Sequence, residues 1–240
     1  SMDGNAKDSG PRPYRECVSL LCPFPVSSLK VVLFDFDHTL SDTRLDFLVL
    51  RRRCLEALAR YAPVSVDGSG LLLERMAGVL ACLDADVAAK AKEAALAAMR
   101  EVEVEAARRS SLFPYARPIL ASLRERGLVA AVVTRNCPEA ILAVFPDIGD
   151  YCSCVLTRDH VKNVKPDPEH LGPALERAGC ASWQALMVGD HPMDIEAGKR
   201  AGTRTAAVLT GETGFAEMLA AKPDLIAPDA AALMRGLGLL

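Results

Sequence analysis

The chain has no C-x2-C pair, no uncharged apolar run of membrane-spanning length, no internal repeat and little net charge. Each absence removes a class of protein. Its eight cysteines stand at 17, 22, 54, 82, 137, 152, 154 and 180, a scatter that argues against a disulfide framework or a zinc site. Reduced thiols in an intracellular, cytoplasmic setting, used mainly as small apolar residues, are the expectation. Only Cys152 and Cys154 leave a metal or redox pair open, since residues two apart face the same way on a strand. The apolar stretch from Val18 to Val26 is too short and too broken by proline for a membrane span or a signal peptide. A formal charge of −3 gives no electrostatic case for nucleic acid or an anionic membrane.

At 240 residues, 50% hydrophobic and 25% charged, the chain has enough apolar side chains for a full core, as one domain with an insertion or as two small ones. Residues 1–28, interrupted by Gly4, Gly10, Pro11, Pro13, Pro23 and Pro25, read as a loose N-terminal segment, and Ser1-Met2 looks like a tag-cleavage scar. Val31 to Phe34 then reads as a strand buried on both faces. From 44 to about 110 the pattern is helical. Leu45, Leu48, Val49, Leu55 and Leu58 keep one face, 65–70 is a loop, and Asp84 to Arg109 is rich in Ala, Glu, Lys and Arg. After Pro114, strands at 128–134, 152–156, 185–188 and 205–209 alternate with helices near 116–126 and from Pro138, Pro168 and Pro192. That alternation predicts an α/β fold, a doubly wound parallel sheet with right-handed crossovers. The expected domains are a core over 29–43 and 112–240 and a helical block over 44–111, inserted directly after the first strand.

Chemistry is expected where these strands end, because open parallel sheets bind ligands beyond the carboxyl ends of their strands. The first strand runs into Asp35-Phe36-Asp37-His38-Thr39, and extended backbone would turn 35, 37 and 39 to one side and 36 and 38 to the other. Two carboxylates sharing a small volume call for a cation or a shared proton. Three more sites follow. Thr134, ahead of Arg135-Asn136 and the helix start at Cys137-Pro138, fits an anion site or a plain N-cap. Lys165, before Pro166, is held extended, although a lone loop lysine also reads as merely solvated. Asp190 and Asp194 lie four apart at a helix start, where carboxylates also interact favourably with the helix N-terminus.

Taken together, Asp35-Phe36-Asp37-His38-Thr39, Thr134, Lys165 and Gly189-Asp190-His191-Pro192-Met193-Asp194 resemble the ordered motifs of the haloacid dehalogenase superfamily of hydrolases, over roughly residues 30 to 228. The likeness is to the phosphoglycolate phosphatase-like branch, with the helical insertion as the mobile cap of the first cap class. About thirty residues separate Thr134 from Lys165, too few for the other common cap position. The resemblance implies a phosphatase with Asp35 as nucleophile and Asp37 as general acid and base. Mg²⁺ would be held by Asp35, the backbone carbonyl of Asp37 and Asp190, with Asp194 nearby. Thr134 and Lys165 would bind the transferring phosphoryl oxygens, and Phe36, Arg135 and Asn136 would contact substrate around them. The presence of Asp37 argues against a dehalogenase. His38 stands where the family commonly has glycine, which makes the turn less permissive and puts an imidazole near the cap, either facing substrate or simply packed.

In the cap, Arg52 falls within the stripe of Leu45, Leu48, Val49, Leu55 and Ala59. It either reaches a substrate carboxylate or second phosphate, or lays its stem on the apolar face with its head in water. Arg51 and Arg53 read as surface charges. The expected partner is a small phosphorylated metabolite such as phosphoglycolate, a sugar phosphate or a nucleotide. A sugar phosphomutase and a catalytically silent module on the same fold stay open as alternatives. A phosphate-accepting receiver domain would need neither Asp37 nor a cap.

Overall fold

The computed structural model of the protein describes residues 26–65 and 68–240. The loose segment expected over 1–28 therefore lies almost wholly outside the described residues, as does part of the 65–70 loop. Strand β1 (Val31–Phe34) has no solvent exposure at any position. Val32 and Phe34 enter one apolar layer and Val31 and Leu33 the other, the alternation a strand imposes when both faces are covered.

The chain then forms β2 (Ser41–Asp42) and a helical block of α1 (Phe47–Leu58), α2 (Leu72–Leu80) and α3 (Ala85–Ala107), and returns through β3 (Ser111–Leu112). β2 and β3 pair antiparallel, so departure and return are stitched side by side. The remainder alternates: α4 (Ala116–Glu125), β4 (Val129–Val133), α5 (Pro138–Val144), β5 (Cys154–Leu156), α6 (Gly172–Ala178), β6 (Ala185–Gly189), α7 (Pro192–Ala201), β7 (Arg204–Val208), α8 (Phe215–Ala220), β8 (Leu225–Ala227) and α9 (Ala230–Gly236). Helices open on Pro138 and Pro192, where a missing N–H costs nothing. The Pro168 start is first a short 3₁₀ turn and only then α6.

The sheet is six-stranded in the order β5-β4-β1-β6-β7-β8, and every pairing in it is parallel. Side chains of α4, α5 and α9 cover one face and those of α6 and α7 the other, which is the doubly wound arrangement expected from the sequence. From β1 the sheet continues to β4 on one side and β6 on the other. The crevice at that switch point lies at the carboxyl end of β1, where Asp35 follows.

The helical block carries its own apolar cluster: Leu50, Cys54, Leu55 and Leu58 of α1, Met76 of α2, and Ala91, Ala95 and Met99 of α3. Alanines on α3 let it approach α1 closely. The stripe on α1 is phased differently from the sequence reading. Leu48 is 79% exposed and Leu50 is buried, because the helix begins only at Phe47, capped by Asp46 accepting from the N–H groups of Leu48 and Val49. The shift turns Arg52 outward.

One buried ion pair ties the block to the sheet. Arg158, in the turn after β5, donates from both terminal nitrogens to the two carboxylate oxygens of Glu103 on α3, and both side chains are almost fully buried. Removing one partner of such a pair strands a charge, at a typical cost of about 3–5 kcal/mol, whereas replacing both with apolar groups is often near neutral. Glu103→Leu is expected to lower unfolding free energy by about that amount, and adding Arg158→Met to recover most of it, read by urea denaturation. Equal losses in the single and double variants would contradict the assignment.

Candidate active site

The strand register carries one residue past β1: the Asp35 N–H donates to the Val188 carbonyl at 2.8 Å. The backbone then turns back, with the N–H groups of Thr39, Leu40 and Ser41 all directed at the Phe36 carbonyl. His38 adopts φ 59°, a left-handed conformation that costs an L-residue energy and that glycine would take freely. Its ring centroid lies 6.2 Å from that of Phe47 on α1. The turn sends the Phe36 side chain into the main apolar layer, 1% exposed and off the lining of the cavity described below. Alternation along the backbone, which points 35 and 37 one way, necessarily points 36 the other.

Lys165 is the centre of the site. Its ammonium, 1% exposed, donates to Asp35 Oδ1 at 2.8 Å and to Asp194 Oδ1 at 2.7 Å. Burial alone would lower its pKa, but the two carboxylates outweigh burial and hold it above the usual lysine value. Its backbone N–H donates to His170 Nδ1, and His170 Nε2–H donates to the Leu156 carbonyl at the end of β5, which fixes the loop. Burial first, and the Lys165 charge second, push His170 down to about 3, so the imidazole is neutral.

Asp190 and Asp194 arrive from the end of β6 and the first turn of α7. A Cβ on Gly189 would fall 2.2 Å from Asp194 Oδ2, and one on Gly211 1.9 Å from Asp190 Oδ2, so glycine at both positions makes room for the carboxylates. Asp194 Oδ2 also accepts the His191 N–H at 3.1 Å, and Asp190 Oδ1 accepts the Thr39 hydroxyl at 3.1 Å. Oxygens of Asp35, Asp190 and Asp194 lie within 4.8 Å of one another. Burial, and then the Asp35 charge, raise Asp190 well above the carboxylate range, and burial raises Asp194 to about 6 despite Lys165. Three clustered carboxylates with one ammonium are short of positive charge, and an all-oxygen donor set of this kind fits a hard divalent cation. The Asp37 carboxylate stands apart from that cluster, accepting from Thr43 Oγ1 at 2.8 Å and from Asn136 Nδ2 at 3.1 and 3.3 Å. Burial and the neighbouring Asp35 charge raise it to about 7, against the pull of those two hydrogen bonds.

Asp35, Asp37, Lys165, Asp190 and Asp194 line a cavity of about 390 Å³ together with Thr134, Arg135 and Asn136 after β4, and its opposite wall comes from the helical block. Thr134 Oγ1 accepts the Asn136 N–H, and Asn136 spends its side chain on Asp37 and the Cys137 N–H. The Arg135 guanidinium grips both Glu74 oxygens at 2.8 Å. Arg52 is exposed and absent from the lining, whereas Arg51, read from the sequence as a surface charge, lines the cavity with its guanidinium spent on the carbonyls of Gly68, Ser69 and Gly70. Cys152 and Cys154 pack into opposite apolar layers, because β5 begins only at Cys154, and both are free thiols; no metal or redox pair forms. Sequence reasoning also missed His170, Thr43 and Gly211, none of which belongs to a recognisable run.

An acid cluster with a buried lysine at the switch point of a doubly wound sheet defines an α/β enzyme built to handle an anion. A family profile described as haloacid dehalogenase-like hydrolase matches residues 32–208, and the chain belongs to that family. A phosphoglycolate phosphatase of Pseudomonas putida is 30% identical over 225 residues, covering 89% of this chain and 81% of that protein. An N-acetylmuramic acid 6-phosphate phosphatase of the same organism is 34% identical over 191 residues, covering 76% and 84%. A crystal structure of a hydrolase from Pseudomonas syringae superposes with a TM-score of 0.67 at 21% identity, covering 87% and 98%, a likeness of fold.

A histidine held neutral in the fold takes up a proton on unfolding. His170 therefore contributes stability that is fully present above its ordinary value of 6.5 and is lost as pH falls toward 3. Unfolding free energy is expected to fall less steeply between pH 6.5 and 4.5 in His170→Gln than in the native protein. An unchanged slope would show that His170 is already protonated or accessible.

Proposed function

We propose that this protein is a Mg²⁺-dependent phosphatase that hydrolyses a small phosphate monoester through an aspartyl-phosphate on Asp35. The observation that carries the reading is the Lys165 ammonium, bonded to Asp35 at 2.8 Å on the floor of the cavity, with Asp37 beside it raised to about 7. The pairing with Lys165 fixes the orientation of the Asp35 carboxyl group. An oxygen of Asp35 attacks phosphorus, the ester P–O bond breaks, and the departing oxygen takes its proton from Asp37. Asp37, now a carboxylate, removes a proton from water as that water attacks phosphorus. Inorganic phosphate leaves and Asp35 is regenerated. A raised Asp37 suits both halves, since a group titrating near neutrality gives and takes a proton with little penalty.

Lys165 and the Thr134 hydroxyl bind phosphoryl oxygens, while Asn136 and Thr43 position Asp37. Asp35, the Asp37 backbone carbonyl and Asp190 would hold Mg²⁺, with Asp194 alongside; bound there, the ion neutralises phosphate charge and polarises its oxygens. The helical block over 44–111 serves as a cap above a core of 29–43 and 112–240, closing over a small phosphorylated metabolite and the attacking water and excluding bulk solvent. No described helix is long and apolar enough to cross a membrane. The six described cysteines are free, which supports a reducing, cytoplasmic setting.

Inorganic phosphate release from a panel of monoesters, with Mg²⁺ and with EDTA, tests the proposal. Release is expected to vanish with EDTA and to fall by about three orders of magnitude or more in Asp35→Asn. Asp37→Asn is expected to lose roughly 10²–10⁴-fold on alkyl esters and less on aryl esters, whose leaving oxygen needs less help from an acid. Undiminished turnover in Asp35→Asn would contradict the nucleophile assignment.

A further inference from the structure

Beyond the phosphate-binding floor, the cavity is short of usable positive charge. Among the described residues, the lysine and arginine side chains on its lining are Lys165, Arg135 and Arg51, and each is already engaged. Lys165 lies between two aspartates. Arg135 forms a two-pronged pair with Glu74 and also donates to the Lys165 carbonyl. Arg51 donates to the carbonyls of Gly68, Ser69 and Gly70, so its fork serves to hold the 68–70 segment.

Apart from Glu103, whose carboxylate is taken up by Arg158, the rest of the wall from the helical block is apolar, with Leu45, Phe47, Leu50, Leu72 and Met99 on the lining. At the rim, in the loop after β7, Glu212 is exposed and lines the cavity with no cation paired to it among the described residues. A second anionic group on the substrate would have to leave water for an apolar wall, face Glu212 and displace Glu74 from Arg135. A neutral body with an apolar face meets none of these penalties.

We propose that the group esterified to phosphate is uncharged and apolar on one face, and that the site selects against substrates bearing a second anion. This rests on the phosphatase reading above and narrows it. It also sets this chain apart from the phosphoglycolate phosphatase to which it is similar, whose named substrate carries a carboxylate.

Matched esters provide the test: 2-phosphoglycolate against 2-hydroxyethyl phosphate, and 3-carboxyphenyl phosphate against phenyl phosphate, compared by kcat/KM at fixed ionic strength. The neutral member of each pair is expected to be favoured at least tenfold. Glu212→Lys, at an exposed position, is expected to narrow both ratios. Equal or faster turnover of the anionic members, or ratios unmoved in Glu212→Lys, would overturn the charge selection and leave the phosphatase reading standing. No phosphate release from any of the four esters would overturn both.

Discussion

A buried ammonium holds this site together. Lys165 is nearly sealed from solvent, and an unpaired cation there would be prohibitively costly, so its two carboxylate partners are obligatory. Those partners come from distant stretches of chain: Asp35 follows the first strand and Asp194 lies on α7, and Lys165 itself stands on the loop beyond β5. The pairings therefore require the strands bearing them to be in register. Gly189 and Gly211 leave room for Asp194 and Asp190, and the neutral His170 anchors the lysine's backbone to β5. Without Lys165, the floor would gather carboxylates with nothing of opposite sign to hold them.

The same economy of charge links the sheet to the helical block. Glu103 on α3 lies close to the Asp37 side of the cavity, where an unpaired carboxylate would add to the repulsion, and Arg158 neutralises it from the core side. Arg135 reaches across to Glu74 on α2 in another pairing with the helical block. Both arginines lie on the segments after β4 and β5, so the elements that frame the phosphate end also fix how the helical block sits. What is left for the substrate is a polar, negatively charged floor and an apolar ceiling.

Much of this was legible in the chain because parallel sheets write their sites at the ends of apolar runs. Val31 to Phe34 announces β1, and the polar residues that break such runs, Asp35, Asp37, Thr134, Asp190 and Asp194, meet with Lys165 around one cavity. Side-chain direction was less legible. Arg52 was placed inward on a stripe that included Leu48, but the helix starts at Phe47 with Leu50 buried, and a helical phase error of two residues rotates a side chain by more than half a turn. Phe36 stands between Asp35 and Asp37 in sequence, yet a period of two turns its side chain into the core. A same-facing Cys152 and Cys154, left open by the sequence, needs a strand through both, but the strand begins only at the second of them. β8 and α9 went unread because Leu225–Ala227 is too short to show periodicity, and His170 because its role depends on what packs around it.

The central claim is that phosphoryl transfer passes through the carboxylate of Asp35. Its most direct test is to quench a reaction with a turned-over ester within milliseconds, reduce with borohydride and map the peptides by mass spectrometry. An acyl phosphate at Asp35 would be recovered as homoserine at position 35, absent without substrate. Reduction at a different residue, or full phosphate release with residue 35 always recovered as aspartate, would contradict the account.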